Sequence, residues 1–219
     1  VIEGRAHFEA SNQLRVETEN GQEMMTFQKA IIATGSKPAL PSAFDLGNPR
    51  VMTSTEALEL EDIPKRLLVI GGGYIGMELG TVYAALGSEV TVVEALPAIL
   101  AGADKDLVRP LMNRAKKVFK DIRLDYKVKK LATKQKTIAV EMESNEGKSI
   151  KETYDRVLVS VGRQPNSDDM GLENTDVKID EKGFIIVDRV CQTTDSNIYA
   201  IGDIAGGILL AHKASKEAK

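Results

Sequence analysis

Apolar and polar positions follow one another along the 219 residues in an order that predicts an α/β unit flanked by other β segments. Residues 67–70, 89–93 and 156–161 are short apolar runs rich in β-branched side chains, which is typical of buried parallel strands. Residues 74–87, between the first two runs, predict a helix, and residues 104–119 predict another. This strand–helix alternation predicts a doubly wound, Rossmann-like fold of the α/β class with a parallel sheet.

The second of these helices has a predicted cap, an irregular point and a buried face. Asp104 is a suitable N-cap, and Pro110 inside the helix predicts a kink or a later start. A shorter helix is expected to begin at Ser54, as its cap, and to end at Leu60. The apolar positions of the second helix that recur at helical spacing, and that we expect to face the core, are Leu107, Leu111, Ala115 and Val118.

The remaining segments have β character interrupted by turn residues. Asn20-Gly21 predicts a hairpin turn, and Asn145 to Gly147 predict a second hairpin inserted in the α/β unit. The pattern predicts domain segments 1–48, 49–163 and 164–219, with the middle one inserted between the other two. Strands are predicted at 6–8, 14–16, 24–27, 29–33, 122–124, 137–142, 149–154, 184–187 and 198–201.

A glycine-rich turn joins the first apolar run to the first helix. Gly71, Gly73 and Gly76 supply the spacing G-x-G-x-x-G: the first permits a tight turn, the second lets a pyrophosphate approach the backbone, and the third lets helix and strand pack closely. The helix N-terminus offers N–H groups and a positive dipole end to phosphates. A glycine-rich turn without a ligand is the alternative, but the strand–helix–strand context favours a dinucleotide site.

Glu94 ends the second strand, about 20 residues after the glycines, where an acid can accept hydrogen bonds from a ribose diol. A carboxylate there would repel a 2′-phosphate, and residues 95–97 offer no Arg or Lys to bind one. We therefore expect NAD rather than NADP. A solvated acid at the end of a strand is the other interpretation.

Composition excludes several classes of function. Twenty-nine Lys and Arg against 32 Asp and Glu give a net charge of −3, so there is no electrostatic case for nucleic acid or an anionic membrane. No apolar run approaches the roughly 20 residues of a membrane helix, and no metal site is predicted. Cys191 is the single cysteine, expected to be packed in a strand, so no internal disulfide can form and a cytoplasmic location is expected. Because the chain begins at Val1 and stops inside a helix-like segment, we expect a piece of a longer protein.

Four motifs stand in series: residues 33–36 (ATGS), 71–80 (GGGYIGMELG), 161–166 (VGRQPN) and 199–203 (YAIGD). Together they closely resemble the flavin-dependent pyridine nucleotide–disulfide oxidoreductases, over nearly the whole chain. That resemblance implies a Rossmann-like NAD-binding domain at 49–163 inserted in parts of an FAD-binding domain, 1–48 and 164–219. The family's N-terminal flavin glycine motif, its Cys-x-x-x-x-Cys pair and its C-terminal dimerisation domain have no counterpart here.

The resemblance also implies two sets of cofactor-binding residues. In the NAD set, Tyr74 would cover the nicotinamide pocket and Glu78 would lie near the nicotinamide and flavin, although both could be ordinary surface or packing residues. In the FAD set, Asp203 would bind the ribityl chain, although an Asp after a glycine also forms turns. The NAD set comprises Gly71, Gly73, Tyr74, Ile75, Gly76, Glu78, Glu94, Val128 and Gly162. The FAD set comprises Gly4, Thr34, Gly35, Ser36, Asp203, Leu209, Leu210, Ala211 and His212.

Residues 210–215 (LAHKAS) resemble the family members that oxidise dihydrolipoamide with NAD⁺ in 2-oxo acid dehydrogenase complexes. The resemblance implies a homodimeric whole protein whose partner is the dihydrolipoyl domain of such a complex. Related disulfide reductases and NADH oxidases are alternatives. No catalytic residue is expected within these 219 residues, so the chain alone is expected to bind NAD(H) without turnover.

Overall fold

The computed structural model describes all residues from Val1 to Lys219. The helices are α1 (Ser54–Glu59), α2 (Tyr74–Ala85), α3 (Lys105–Val118) and α4 (Ala211–Glu217), with short 3-10 helices at Leu172–Asn174 and Gly202–Ala205. None of them is long and apolar enough to cross a membrane. The strands are β1 (Arg5–Ala10), β2 (Gln13–Thr18), β3 (Gly21–Thr26), β4 (Ala30–Ile32), β5 (Ser36–Pro38), β6 (Val51–Met52), β7 (Arg66–Ile70), β8 (Glu89–Val93), β9 (Asp121–Arg123), β10 (Tyr126–Lys134), β11 (Thr137–Ser144), β12 (Ser149–Tyr154), β13 (Arg156–Val159), β14 (Arg163–Pro165) and β15 (Ile198–Ala200).

The chain divides into two compact units, one formed by residues 38–162 and the other by residues 1–37 and 163–219. The sequence predicts boundaries after residues 48 and 163, whereas the units change after residues 37 and 162. Which cofactor each unit binds stays a prediction.

Unit 38–162 is built on a five-stranded parallel sheet of order β6-β13-β7-β8-β9. Both faces are covered, because alternate residues of β7 enter two different cores. Leu67 and Val69 pack with α1, α2 and α3, while Leu68 and Ile70 pack with β10, β11 and β12. The predicted α/β fold with a parallel sheet is therefore confirmed.

Helix α3 begins after its predicted N-cap, Asp104, but it turns a different face to the core. Its packed positions are Val108, Met112 and Ala115, whereas Leu107 is 70% exposed. Leu111 and Val118 are also exposed. The predicted apolar face is thus wrong except at Ala115, because the tertiary contact lies about one position round the helix.

The predicted hairpin belongs to a three-stranded antiparallel sheet of order β10-β11-β12. The sequence did not predict β10, whose register shifts between Val128 and Lys130. Helix α1 is also corrected at its start: the N-cap is Thr53, not Ser54. Thr53 and Glu56 form a capping box, in which the Thr53 amide donates to the Glu56 carboxylate at 2.7 Å.

The second unit contains the predicted antiparallel sheet β1-β2-β3, a parallel pair β15-β4 and a short pair β14-β5. Its core gathers Phe8, Ile32, Ile198 and Ile204. The predicted strand 184–187 is wrong, since this segment makes only isolated bridges. Cys191 is likewise not in a strand: it is half-buried at a positive φ of 61°, and burial raises the pKa of its thiol.

Candidate nucleotide-binding site

The turn between β7 and α2 requires glycine at its first position. Gly71 has a φ of +108°, and its amide donates to the Val93 carbonyl at 2.8 Å. A Cβ added at Gly71 would lie 2.3 Å from the Ser160 carbonyl oxygen. Any side chain would therefore meet both an unfavourable backbone conformation and the end of the neighbouring strand.

Gly76 is also fixed by packing, one turn into α2. A Cβ there would lie 2.1 Å from the Gly71 carbonyl oxygen and 2.6 Å from Ser160 Oγ. The Ser160 hydroxyl donates to the carbonyls of Ile70 and Gly71, at 3.0 and 3.2 Å. The helix therefore lies directly on the turn, and Ser160, which the sequence analysis did not select, holds the end of β7 in place.

Gly73 differs from both, because nothing in the protein requires a glycine there. Its φ of −72° and ψ of 178° are extended backbone, and an added Cβ would have no atom within 4 Å. Gly73 is the N-cap of α2 and supplies no side-chain cap for the helix. The open space in front of this helix start is a place where a ligand could approach the backbone and accept hydrogen bonds from it.

Glu94 lies beside this turn, at the carboxyl end of β8. Its Oε2 accepts a hydrogen bond from the Gly72 amide at 2.6 Å, and its Oε1 accepts one from the Leu96 amide at 2.8 Å. The Glu94 amide donates to the Arg123 carbonyl at 2.8 Å, which joins this residue to β9. The carboxylate is therefore half-buried and held against the glycine turn.

The other predicted NAD residues of this unit are distributed around the same turn and farther away. Tyr74 and Glu78 are exposed and lie one turn apart on α2. Ile75 is partly buried and packs against the core that the sheet forms with α1, α2 and α3. Val128 is partly buried on β10, next to its irregularity. Gly162 is exposed, with a φ of +142° that disfavours any other residue.

In the second unit, Asp203 is held by two neighbours from other segments. The Ser36 hydroxyl donates to Asp203 Oδ2 at 2.6 Å, and Arg163 Nε lies 3.6 Å from the same oxygen. Arg163 also donates to Ser36, to its hydroxyl and to its carbonyl, at 2.6 Å each. Arg163 belongs to the motif 161–166 but was not chosen as a site residue. Its guanidinium lies between Ser36 and Asp203, where it donates to the first and pairs with the charge of the second.

Helix α4 holds the turn that carries Asp203. The Gly202 amide donates to Glu217 Oε2 at 2.8 Å, and Lys213 Nζ donates to the Gly202 carbonyl at 3.0 Å. Although burial raises it, hydrogen bonds from Lys213 and the Gly202 amide lower the pKa of Glu217 below its ordinary value. The sequence analysis missed the ion pair of Lys213 and Glu217, for which the i, i+4 spacing of opposite charges was the available signal.

The remaining predicted flavin residues share the second unit with Asp203. Thr34 and Asn166 are joined by two hydrogen bonds, at 2.9 and 3.0 Å, and Gly35 has a φ of +68°. A Cβ at Gly4 would lie 2.3 Å from the Glu17 carbonyl oxygen, so packing alone requires that glycine. Leu209, Leu210, Ala211 and His212 lead into and begin α4, and the last three are exposed.

Comparison with known proteins shows similarity along the whole chain. Residues 1–218 match the sequence profile described as pyridine nucleotide-disulphide oxidoreductase. The dihydrolipoyl dehydrogenase of Staphylococcus aureus is 44% identical over 220 residues, and those of Geobacillus stearothermophilus and Bacillus subtilis are each 43% identical. Each match covers 100% of this chain and 46% of the relative, so the chain spans less than half the length of these proteins.

Solved structures are also similar to the chain over nearly its whole length. The HOCl-induced flavoprotein disulfide reductase from Escherichia coli is 30% identical, with a TM-score of 0.87. Its Cu(II) complex matches with a TM-score of 0.88. These matches cover 99% of this chain and 48% of the other chain.

Proposed function

Because the chain belongs to the pyridine nucleotide-disulphide oxidoreductase family, we propose that it carries the NAD(H)-binding part of a flavoprotein that oxidises dihydrolipoamide. The observation that carries the nucleotide site is the contrast within one turn. Gly71 and Gly76 are required by the protein's own packing, whereas Gly73 faces open space at the start of α2. A glycine that the fold does not need is explained by a ligand that comes close to the backbone.

The residues of this unit fit a nicotinamide dinucleotide. The amides at the start of α2, from Gly73 through Tyr74, Ile75 and Gly76, would meet the pyrophosphate, and Glu94 would accept hydrogen bonds from the adenosine ribose. Glu94 would also disfavour a 2′-phosphate, which makes NAD the expected cofactor. Glu78, Val128 and Gly162 complete the proposed NAD set, with Tyr74 and Glu78 toward the nicotinamide end.

The second unit is proposed to supply one side of a flavin site. The half-buried Asp203 carboxylate, fixed by Ser36, Arg163 and the Gly202 turn, would accept hydrogen bonds from the flavin's sugar-alcohol chain. When bound, FAD would supply the two-electron chemistry that passes electrons from a dithiol to NAD⁺. The other residues proposed to contact FAD are Gly4, Thr34, Gly35, Leu209, Leu210, Ala211 and His212.

The activity proposed for the whole protein is oxidation of dihydrolipoamide by NAD⁺, which gives lipoamide, NADH and a proton. Three curated relatives at 43–44% identity are dihydrolipoyl dehydrogenases, which supports this reaction over that of the disulfide reductase at 30% identity. Accordingly, we propose that the partner is a dihydrolipoyl domain of a 2-oxo acid dehydrogenase complex and that the whole protein is a cytoplasmic homodimer. A related flavoprotein disulfide reductase or NADH oxidase is the second candidate, and the match to the disulfide reductase of Escherichia coli, with a TM-score of 0.87, supports the first of these two.

The test of nucleotide binding is a calorimetric titration of the 219-residue chain with NADH and, separately, with NADPH. We expect saturable binding of NADH and weaker binding of NADPH. Binding of neither nucleotide by the folded chain would contradict the proposal. Preferential binding of NADPH would contradict the role of Glu94 but not the use of the glycine turn.

A further inference from the structure

A loop that follows β8 crosses the glycine turn and holds it. We call residues 95–104 the strap. The Leu100 amide donates to the Gly72 carbonyl at 2.9 Å. The side chain of Ile99 is fully buried, and a Cβ added at Gly72 would lie 2.9 Å from Ile99 Cγ2. The strap therefore touches Gly72 through both a hydrogen bond and a buried side chain.

Leu100 adopts an unusual backbone conformation to make this contact. Its φ is +50°, in the left-handed region that residues with a Cβ rarely enter. Two hydrogen bonds hold it there: its amide donates to Gly72, and its carbonyl accepts from the Ala103 amide at 2.8 Å. Such strained residues persist only where the surrounding structure fixes them, and they concentrate at functional sites.

The hydrogen bond from Leu100 determines the direction of a donor that faces the proposed ligand. The Gly72 carbonyl and the Gly73 amide belong to the same peptide group, which is planar and trans, so they point in opposite directions. Fixing the carbonyl toward the strap therefore fixes the Gly73 N–H away from it. On the other side of Gly72, its own amide is taken by Glu94 at 2.6 Å, so the residue cannot rotate freely.

We propose that Leu100 is a positioning residue for nucleotide binding: its left-handed conformation aims the Gly73 amide at the pyrophosphate of the dinucleotide. This inference rests on the proposed nucleotide site and adds to it a residue outside the glycine motif. Leu100 and Ile99 act on the diphosphate and not on the adenosine, because both contact Gly72, whose carbonyl belongs to the peptide group that precedes α2. Glu94, the proposed ribose ligand, is held by another residue of the strap, Leu96.

The experiment compares two substitutions that both keep the Leu100 amide. Leu100→Gly removes the conformational penalty at positive φ, whereas Leu100→Val increases it because a β-branched residue resists this region. ADP-ribose, which contains the diphosphate, is titrated by calorimetry, and adenosine, which lacks it, is titrated by NMR. We expect Leu100→Gly to bind ADP-ribose within twofold of the wild-type chain and Leu100→Val to bind it at least fivefold more weakly. Adenosine should bind all three chains equally.

Two further variants serve as a control and as a second test. Ala98→Val introduces the same side chain at an exposed strap position without a positive φ and should leave ADP-ribose affinity unchanged. Ile99→Ala removes the buried contact with Gly72 without altering Leu100 and should weaken ADP-ribose binding at least threefold, while Ile99→Val should restore it. Thermal unfolding followed by circular dichroism verifies that each chain is folded, and Ile99→Ala carries the test if Leu100→Val does not fold.

The outcomes distinguish failure of the proposed role of the strap from failure of the proposed nucleotide site. Weaker binding of ADP-ribose with unchanged binding of adenosine supports the proposal. Wild-type affinity in both Leu100→Val and Ile99→Ala would overturn it, as would an equal loss of adenosine affinity, which would indicate a general loosening of the unit. A wild-type chain that binds neither ADP-ribose nor NADH would instead refute the proposed nucleotide site and the role of Leu100 with it.

Discussion

The Glu94 carboxylate accepts a hydrogen bond from the Gly72 amide, with 2.6 Å between Oε2 and the nitrogen. An acid at the end of β8 and the middle of the glycine turn, 22 residues earlier in the chain, are thereby joined directly. The carboxylate cannot move without disturbing the turn. A substitution at Glu94 is therefore expected to affect both the ribose contact and the arrangement of the backbone amides.

Glu94→Ala should weaken NADH binding by about 1–3 kcal/mol, the scale of a lost hydrogen bond to a charged group. NADPH binding should change less, because the substitution also removes the repulsion between the carboxylate and a 2′-phosphate. Calorimetric titrations of both chains with both nucleotides measure the two effects. Glu89→Ala is the matched control, since Glu89 is exposed at the opposite end of the same strand. Equal loss of NADH and NADPH affinity would show that Glu94 serves the turn alone.

Gly73→Val should abolish dinucleotide binding and leave the chain folded. The φ of −72° suits valine and the space around the position is empty of protein atoms, so we expect a change in unfolding free energy within about 1 kcal/mol. Gly71→Val, two residues earlier, should cost at least about 2 kcal/mol, because its side chain meets the Ser160 carbonyl at a positive φ. Chemical unfolding and NADH titration of both variants distinguish a glycine that ligand binding requires from one that the packing of the protein requires. Unchanged NADH affinity in a folded Gly73→Val chain would contradict the ligand role.

The turn could be predicted from sequence because its determinants are local: a short apolar run, three glycines and a helix follow one another within about 20 residues. The contacts that hold the turn in place could not be predicted, since Ser160 and Leu100 hydrogen-bond to it from segments that are distant in the chain. Which face of α3 is buried was also beyond the sequence, because Leu107 and Val108 are both apolar and only the sheet decides between them. Strand β10 was missed because its lysines conceal the alternation and its register shifts after Val128.

The sheet β10-β11-β12 is tied to the strand beside Glu94 by an ion pair whose effect depends on pH. Arg123, whose carbonyl accepts the Glu94 amide, donates to both oxygens of Glu152, at 2.9 and 3.0 Å. The hydrogen bond from Arg123 lowers the pKa of Glu152 below its ordinary 4.5. Because the folded-state pKa is the lower one, the stabilisation is complete above the unfolded-state pKa and is lost as pH falls through the folded-state pKa.

Glu152→Gln should therefore lower the free energy of unfolding by about 1 kcal/mol at pH 7, a modest value because the Glu152 side chain is 36% exposed. The difference between the two chains should begin to shrink as pH falls below 4.5, and it should disappear below the lowered folded-state pKa, where the wild-type carboxyl is protonated in the folded chain too. Urea unfolding at several pH values measures it. Glu141→Gln is the control: Glu141 is as exposed as Glu152, but its partner Lys151 is 74% exposed, against 16% for Arg123, so this pair should contribute less than about 0.5 kcal/mol. A pH-independent difference would argue against the ion pair as its cause.

The region of the proposed flavin site is only partly enclosed by these 219 residues. The strands that precede Thr34 and Asp203 form only a two-stranded parallel pair, β15-β4, although parallel strands are normally buried within larger sheets. Ile31, at the centre of β4, is 65% exposed. One face of this pair is packed in the core with Phe8 and Ile204, but β4 has no strand on its other edge and its opposite face is open at Ile31, so the aspartate is held by Ser36, Arg163 and α4 without a complete wall around a ligand.

The 219-residue chain should consequently bind FAD weakly or not at all and should not oxidise NADH with lipoamide. Catalysis by a dithiol–disulfide exchange needs two thiols in one site, and Cys191 is the single cysteine, half-buried with a raised thiol pKa. The test adds FAD to the purified chain, removes the excess, records the flavin absorbance and then assays lipoamide-dependent NADH oxidation. NADH binding by the same preparation verifies that the nucleotide unit is folded. A yellow chain with one flavin per polypeptide and turnover would refute this prediction and require chemistry without a cysteine pair.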